Sequence, residues 1–319
     1  MIPRLLAVTV AGLFLSAGLA TAALAQDRMA VVASFSVVGD LVREIGGDRV
    51  DVRALAGPDG DAHVFQPTPA DAKAVAAARV FVVNGLGFEG WLDRLRRASG
   101  FKGRLIVASD GVAPLTMEED EHTHGHGHGA AGATRRKAKA PDTVADPHAW
   151  QDPANARIYA DNIARGLAQE DPANAAYYAQ SPDAFKQRLD ALDARLRTAF
   201  MKIPAGKRRV ITSHDAFQYL ARAYGIEFLA ASGVSTEAEP SAKQVASLIA
   251  QIRKENVKAL FVENLGNPRL IEQIARDAGG VVGGRLYSDA LSPSGGPADT
   301  YLRMMEHNAT ALLAGMARN

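Results

Sequence analysis

The chain has 319 residues, 36 of them lysine or arginine and 35 aspartate or glutamate, for a net charge of +1, and it contains no cysteine. Charge this evenly balanced excludes a global field that would draw the chain to nucleic acid or anionic lipid. Without cysteine there are neither disulfides nor thiolate ligands, so any metal site must be built from His, Asp and Glu.

Residues 1–25 read as a secretory signal, with Arg4 in a short positive start, an apolar run over 5–15 and Ala23-Leu24-Ala25 as a small-residue cleavage site; the mature chain is then expected to begin near Gln26. An uncleaved anchor is the competing reading, disfavoured because the run is short and broken by Ser16 and Gly18. No later run approaches the roughly 18 apolar residues of a spanning helix. The remaining chain, about 290 residues, suits two domains.

Ala30-Val31-Val32-Ala33-Ser34-Phe35 is a continuous apolar run of the kind buried on both faces of a parallel sheet, and Ser36 is placed to cap a helix through Ile45 that Gly46-Gly47 ends. A strand over 50–56 then gives way to a Gly/Pro/Asp turn containing His63, and to a helix capped by Thr68 with Pro69 at its first position. Strand, helix and strand follow over 80–84, 91–98 and 105–108. This alternation predicts a parallel sheet covered by helices. In such sheets ligands bind beyond the carboxyl ends of the strands, which is where His63 falls, although a solvent-exposed loop histidine fits the same position.

Residues 116–143 lack apolar periodicity and contain four carboxylates followed by His122, His124, His126 and His128 alternating with other residues, mostly glycine. Such a segment buries no core, and its imidazoles are expected to capture zinc, copper or nickel weakly; Arg135-Arg136-Lys137 reads as solvated loop. Next comes Asp146-Pro147-His148-Ala149-Trp150-Gln151-Asp152-Pro153, where prolines on both sides restrict the backbone and aim the His148 ring. By itself an aimed histidine is more often a hydrogen-bonded ring under a loop than a ligand.

With Ser181 as cap and Pro182 after it, Phe185, Leu189, Leu192, Leu196 and Phe200 recur at helical spacing, predicting a rod of roughly 30 Å over 181–203 that links an N-terminal lobe (26–180) to a C-terminal lobe (204–319). The second lobe repeats the first. Strands are expected over 209–212, 228–231, 259–262 and 281–287, with helices over 216–224, 241–254, 268–278 and 298–314. His214 follows the first of these strands and Asp289 the last, so four potential ligands, two per lobe, face a shared cleft. Three imidazoles and one carboxylate make a tetrahedral set for Zn²⁺, whereas manganese or magnesium sites want more oxygen. His307, between Glu306 and Asn308 in the last helix, reads as a surface or capping residue.

The motifs Asp61-Ala62-His63-Val64-Phe65-Gln66-Pro67-Thr68-Pro69, Asp146-Pro147-His148-Ala149-Trp150, Ser213-His214-Asp215-Ala216-Phe217-Gln218-Tyr219-Leu220, Glu239-Pro240-Ser241-Ala242-Lys243-Gln244 and Ser288-Asp289-Ala290-Leu291-Ser292 stand in the order found in the ZnuA and TroA-like metal receptors of ABC importers, which the chain resembles over nearly its whole mature length. The resemblance implies two α/β lobes joined by one long helix, a metal held between them, no catalysis, and a periplasmic location. It carries the family's ligands onto His63, His148, His214 and Asp289. Manganese-preferring members have Glu at the third position, so His214 resembles the zinc branch, most closely AztC-like receptors, as does the histidine-rich loop. Implied partners are a membrane permease with its ATPase, with room for a periplasmic metallochaperone; the expected state is a monomer that binds no nucleic acid. A manganese receptor of the same family and a periplasmic zinc buffer are alternatives. An exported zinc hydrolase is a third, but the chain has no His-Glu-x-x-His pattern and four filled ligand positions leave little room for an activated water.

Overall fold

The computed structural model describes residues 28–118, 143–233, 236 and 240–319. The expected signal segment, residues 1–25, and His122, His124, His126 and His128 lie outside the described residues. No helix among the described residues is long and apolar enough to cross a membrane.

Two four-stranded parallel sheets form the framework. In the first, β1 (Met29–Phe35), β2 (Val50–Ala56), β3 (Val80–Val83) and β4 (Arg104–Val107) lie in the order β2-β1-β3-β4. The second contains β7 (Arg209–Thr212), β8 (Glu227–Ala230), β9 (Ala259–Glu263) and β10 (Val281–Leu286), in the order β10-β9-β7-β8. Read from the other edge, that is the same order as the first sheet. Each sheet therefore has a switch point between its first and third strands, the position at which loops splay apart and leave a crevice. The residues of β3 are all buried, as expected of a strand covered on both faces.

Helices α1 (Ser36–Gly46), α2 (Pro69–Ala77) and α3 (Leu92–Ser99) flank the first sheet; α6 (Gln218–Tyr224), α7 (Ala242–Glu255), α8 (Pro268–Ala278) and α9 (Tyr301–Met316) flank the second. The Thr68 cap is present and reciprocal: its hydroxyl accepts the Asp71 N–H while the Asp71 carboxylate accepts the Thr68 N–H. Ser241 and Gln244 form the same box on α7. Ser36 does not cap α1. It occupies the first helical position, and its hydroxyl instead accepts the N–H of Leu291 from the other half of the chain at 2.9 Å.

Two further elements differ from expectation. Residues 116–143 are not loop throughout, because β5 (Thr116–Glu118) and β6 (Thr143–Ala145) pair antiparallel and close the segment at its base. The long helix α5 (Ala175–Met201) begins well before Ser181, with Pro182 inside it. Proline cannot donate to the Tyr178 carbonyl one turn back. The Ser181 hydroxyl donates to that carbonyl instead, at 3.4 Å, so a residue that reads as a cap in the sequence serves to carry the helix through its proline.

Ahead of α5 lies α4 (Pro153–Glu170), whose buried face is set by Ala156, Tyr159, Ala160, Ile163 and Leu167 at helical spacing. α5 packs on α1 and α4 from the first half and on α6 and α9 from the second. One apolar core consequently runs from Val38 and Leu41 through Tyr159, Phe185 and Leu189 to Tyr301 and Met305.

Candidate metal centre

Each candidate ligand stands on a loop just beyond a strand, and local hydrogen bonds aim it. His63 and His148 share one device: Asp61 Oδ1 accepts the His63 N–H at 2.9 Å, and Asp146 Oδ1 accepts the His148 N–H at 2.9 Å. An aspartate bonded to the backbone two residues on makes a side-chain-closed turn, which sets the direction in which the histidine leaves the chain. The His63 loop is held from below by Trp91, whose indole N–H donates to the Ala62 carbonyl at 2.8 Å, and from the other lobe by Thr236, whose hydroxyl donates to Asp61 Oδ2 at 2.7 Å.

The Asp146–Pro153 stretch is tied to both halves of the molecule. Asn84 donates to the Pro147 carbonyl at 2.9 Å, and Tyr219 and Tyr301 donate their hydroxyls to the carbonyls of Asp146 and Trp150 at 2.9 and 2.7 Å. In return, the Trp150 indole and the Gln151 amide both donate to the carbonyl of Ser288, at 3.0 and 2.8 Å. The residue before Asp289 is thereby clamped by the residues after His148, so two ligands distant in sequence are fixed relative to each other.

The four side chains converge. One donor atom from each of His63, His148, His214 and Asp289 lies within 4.8 Å of the others. His63 Nε2 is 3.3 Å from His148 Nε2, and Asp289 oxygens lie 3.4, 3.5 and 2.9 Å from Nε2 of His63, His148 and His214. Zinc bonds of about 2.0–2.1 Å give a tetrahedron with donor-to-donor edges of about 3.3 Å, so these four separations are close to such edges, and the set as a whole, within 4.8 Å, would draw in slightly around an ion. His148 and Asp289 are inaccessible and His214 is 3% exposed; His63 is the most accessible ligand, with 8% of its side chain exposed. Phe88 meets the His63 ring edge-on at 4.6 Å and also stands against Phe35 and Trp150, giving one side of the site an apolar wall.

The electrostatics call for a cation. Both Asp289 oxygens are buried without a hydrogen-bond donor of acceptable geometry, and what they face is imidazole nitrogen. Burial pushes the Asp289 carboxyl up, yet His214 and His148 overcome it and hold the group well below the usual carboxylate range. For His214 the signs are reversed: burial lowers it, and Glu263 and Asp289 together raise it well above the ordinary histidine value. Buried polar atoms left without protein partners are uncommon and ask for an explanation, which an ion at the centre of these four groups supplies.

Two carboxylates behind the ligands have no role assigned from the sequence. Asp146 Oδ1 lies 2.8 Å from His148 Nδ1, and Glu263 Oε2 lies 2.6 Å from His214 Nδ1. The repeated Asp-x-His spacing at 61–63 and 146–148, and a glutamate ending the apolar strand β9, are signals that point to them. His307 stands apart from the cluster, with Nε2 3.0 Å from the Arg285 carbonyl and the ring against Tyr287.

Residues 31–315 match the family described as the zinc-uptake complex component A, periplasmic. The chain is 30% identical over 307 residues to the iron-binding protein YfeA of Yersinia pestis, covering 94% of this chain and 92% of that protein. It is 29% identical over 297 residues to the manganese ABC transporter substrate-binding lipoprotein PsaA of Streptococcus pneumoniae, covering 91% and 90%. Among solved structures, the periplasmic zinc binding protein TroA of Treponema pallidum superposes with a TM-score of 0.79 at 27% identity, covering 91% of this chain and 99% of TroA. These relatives are described as binding three different ions.

Proposed function

The chain belongs to the family of periplasmic zinc-uptake components, metal-binding receptors of ABC importers rather than enzymes, and from that premise we propose that it captures Zn²⁺ at His63, His148, His214 and Asp289 and delivers it to a membrane permease driven by an ATPase. Export to the periplasm through the segment 1–25 is part of the same reading, supported by the lipoprotein and periplasmic descriptions of PsaA and TroA. All four ligand residues come from one chain, so a monomer suffices.

The observation that carries zinc, against the iron and manganese of other relatives, is the donor set. Three imidazole nitrogens and a single carboxylate, converging within 4.8 Å of one another, suit zinc. Manganese is better served by carboxylate, carbonyl and water. The geometry also gives the ion a closed site, as transport without chemistry requires, since an open position with a bound water is the mark of catalytic zinc.

The histidine-rich segment is a second, weaker collector in this reading, because nothing in its Gly-spaced sequence fixes a donor geometry for its imidazoles. Titration of zinc into the purified protein is expected to show one tight equivalent that persists after deletion of residues 122–128. Loss of the tight equivalent in that deletion, with the four ligand residues intact, rejects the assignment.

A further inference from the structure

The third ligand is held by a carboxylate whose arrangement goes beyond support of the backbone. Glu263 ends β9 and its side chain is inaccessible. Its two oxygens have divided tasks. Oε1 accepts the backbone N–H groups of Ser213 and His214 at 2.8 and 3.0 Å, which fixes the strand-end turn that carries the ligand. Oε2 takes no part in that grip; it lies 2.6 Å from His214 Nδ1, a charge-paired contact whose alignment is not that of an ideal hydrogen bond. On the far side of the ring, Nε2 faces Asp289 Oδ2 at 2.9 Å.

We propose that Glu263 is a positioning and ion-selecting residue: by keeping the proton of the zinc-bound His214 ring on Nδ1, it presents Nε2 as a bare, electron-rich nitrogen donor and so favours zinc over manganese. This rests on the reading of His214 as a zinc ligand. An ionised carboxylate only accepts hydrogen bonds, so an imidazole nitrogen held against it must be the donor, and the other nitrogen is left as the lone pair. An outer carboxylate on a ligating imidazole fixes the tautomer and raises the basicity of the ring. A more basic nitrogen strengthens bonds to zinc, which takes imidazole readily, more than to manganese, which is held best through oxygen. Asp146 grips His148 through the same pair of contacts, ring Nδ1 and backbone N–H, although there a single oxygen serves both. At His63 no carboxylate faces Nδ1 among the described residues; its contacts are made through Nε2 and the ring edge.

Glu263→Gln separates the two tasks. The amide oxygen is able to keep the two backbone N–H groups, which leaves the NH₂ facing Nδ1. Two donors cannot share that contact, so the ring is driven to the tautomer with its proton on Nε2, and zinc must reverse this to bind. Zinc affinity is expected to fall roughly 10- to 100-fold, the usual range for loss of such a partner, while manganese affinity falls less, so that the zinc-to-manganese ratio narrows. A purely structural role for Glu263 would lower both affinities in step. The companion measurement needs no variant: long-range ¹H–¹⁵N spectra of the zinc-loaded wild-type protein should show His214 protonated at Nδ1 and coordinated through Nε2, and coordination through Nδ1 overturns the proposal even if Glu263→Gln does not fold. Failure of the underlying reading looks different, because His214→Ala would then retain wild-type zinc affinity. If His214→Ala loses tight zinc but Glu263→Gln keeps both the wild-type affinity and the wild-type ratio, only the role given to Glu263 falls.

Discussion

His214 lies between Glu263 and Asp289, and this has consequences for pH. Burial alone would lower its affinity for a proton; the two carboxylates more than reverse that, so the metal-free site holds a proton on this ring near neutrality. Zinc needs the Nε2 lone pair and must expel that proton. Uptake at pH 7 is therefore expected to release protons, and zinc affinity to climb with pH as ligand protonation ceases to compete. Calorimetry in buffers of differing ionisation enthalpy measures the release directly, and a titration whose heat is independent of the buffer contradicts it. Replacing His214 by Ala removes a ligand outright, and the loss of zinc affinity is expected to exceed the roughly 10- to 100-fold typical of an outer-shell change. Three of the candidate ligands, His63, His214 and Asp289, are legible in the sequence because each follows a strand in a βα series; His148 follows the β5–β6 hairpin instead and is marked by its flanking prolines and by the family resemblance. Their partners are harder to read. Glu263 acts on a residue 49 positions away, through side-chain direction at a strand end, and its local mark, a glutamate closing an apolar strand, does not say which residue it serves.

At the scale of elements, α5 shows why periodicity gives a helix's face more securely than its start. Phe185, Leu189, Leu192, Leu196 and Phe200 mark the buried stripe, and all five are buried as expected. Ser181-Pro182 resembles a helix beginning, yet the chain is already helical from Ala175, because packing on α4 and the Ser181 bond to the Tyr178 carbonyl offset the donor that proline lacks. The extent of α4 was similarly hidden, since its buried face includes small alanines among larger residues. Leu189 is inaccessible within the core shared by both halves. Leu189→Ala is expected to cost about 2–5 kcal/mol of stability in urea unfolding, while the folded protein keeps its tight zinc, since Leu189 lies on α5 and not on a loop that carries a candidate ligand. A cost under about 1 kcal/mol would mean that the helix is not a structural element of the shared core.

The whole molecule is tied across its two halves by polar contacts as well as by core. Asp40 on α1 accepts the N–H of Tyr301, at the start of α9, at 2.7 Å. Burial pushes its carboxyl from the ordinary 3.8 up to about 6, with the Tyr301 N–H opposing and Glu44 adding to the rise. The folded state thus takes up this proton more readily than the unfolded chain. The stabilising contribution is complete below the unfolded value and is lost as pH rises through about 6. Asp40→Asn, which keeps an acceptor for Tyr301 without the charge, should raise the melting temperature at pH 8 and leave it nearly unchanged at pH 4; equal shifts at both pH values would show that charge is not the cause.

With α5 packed on both halves and one core running through them, a wide hinge opening would have to break apolar packing as well as bend a helix. Loaded and empty forms are expected to share nearly the same radius of gyration and to differ in hydrogen exchange around His63 and His148. Scattering that shows a large change in radius, with loop protection unchanged, would place the motion between the lobes. The claim on which everything else depends is that the four-residue site prefers zinc, and equilibrium competition tests it most directly. When the purified protein is dialysed against zinc and manganese together at equal free concentrations, one zinc per chain and almost no manganese is the expected content, and a His214→Ala protein should lose that zinc. Retention of manganese in place of zinc by the intact protein, or tight zinc surviving without His214, would contradict the account.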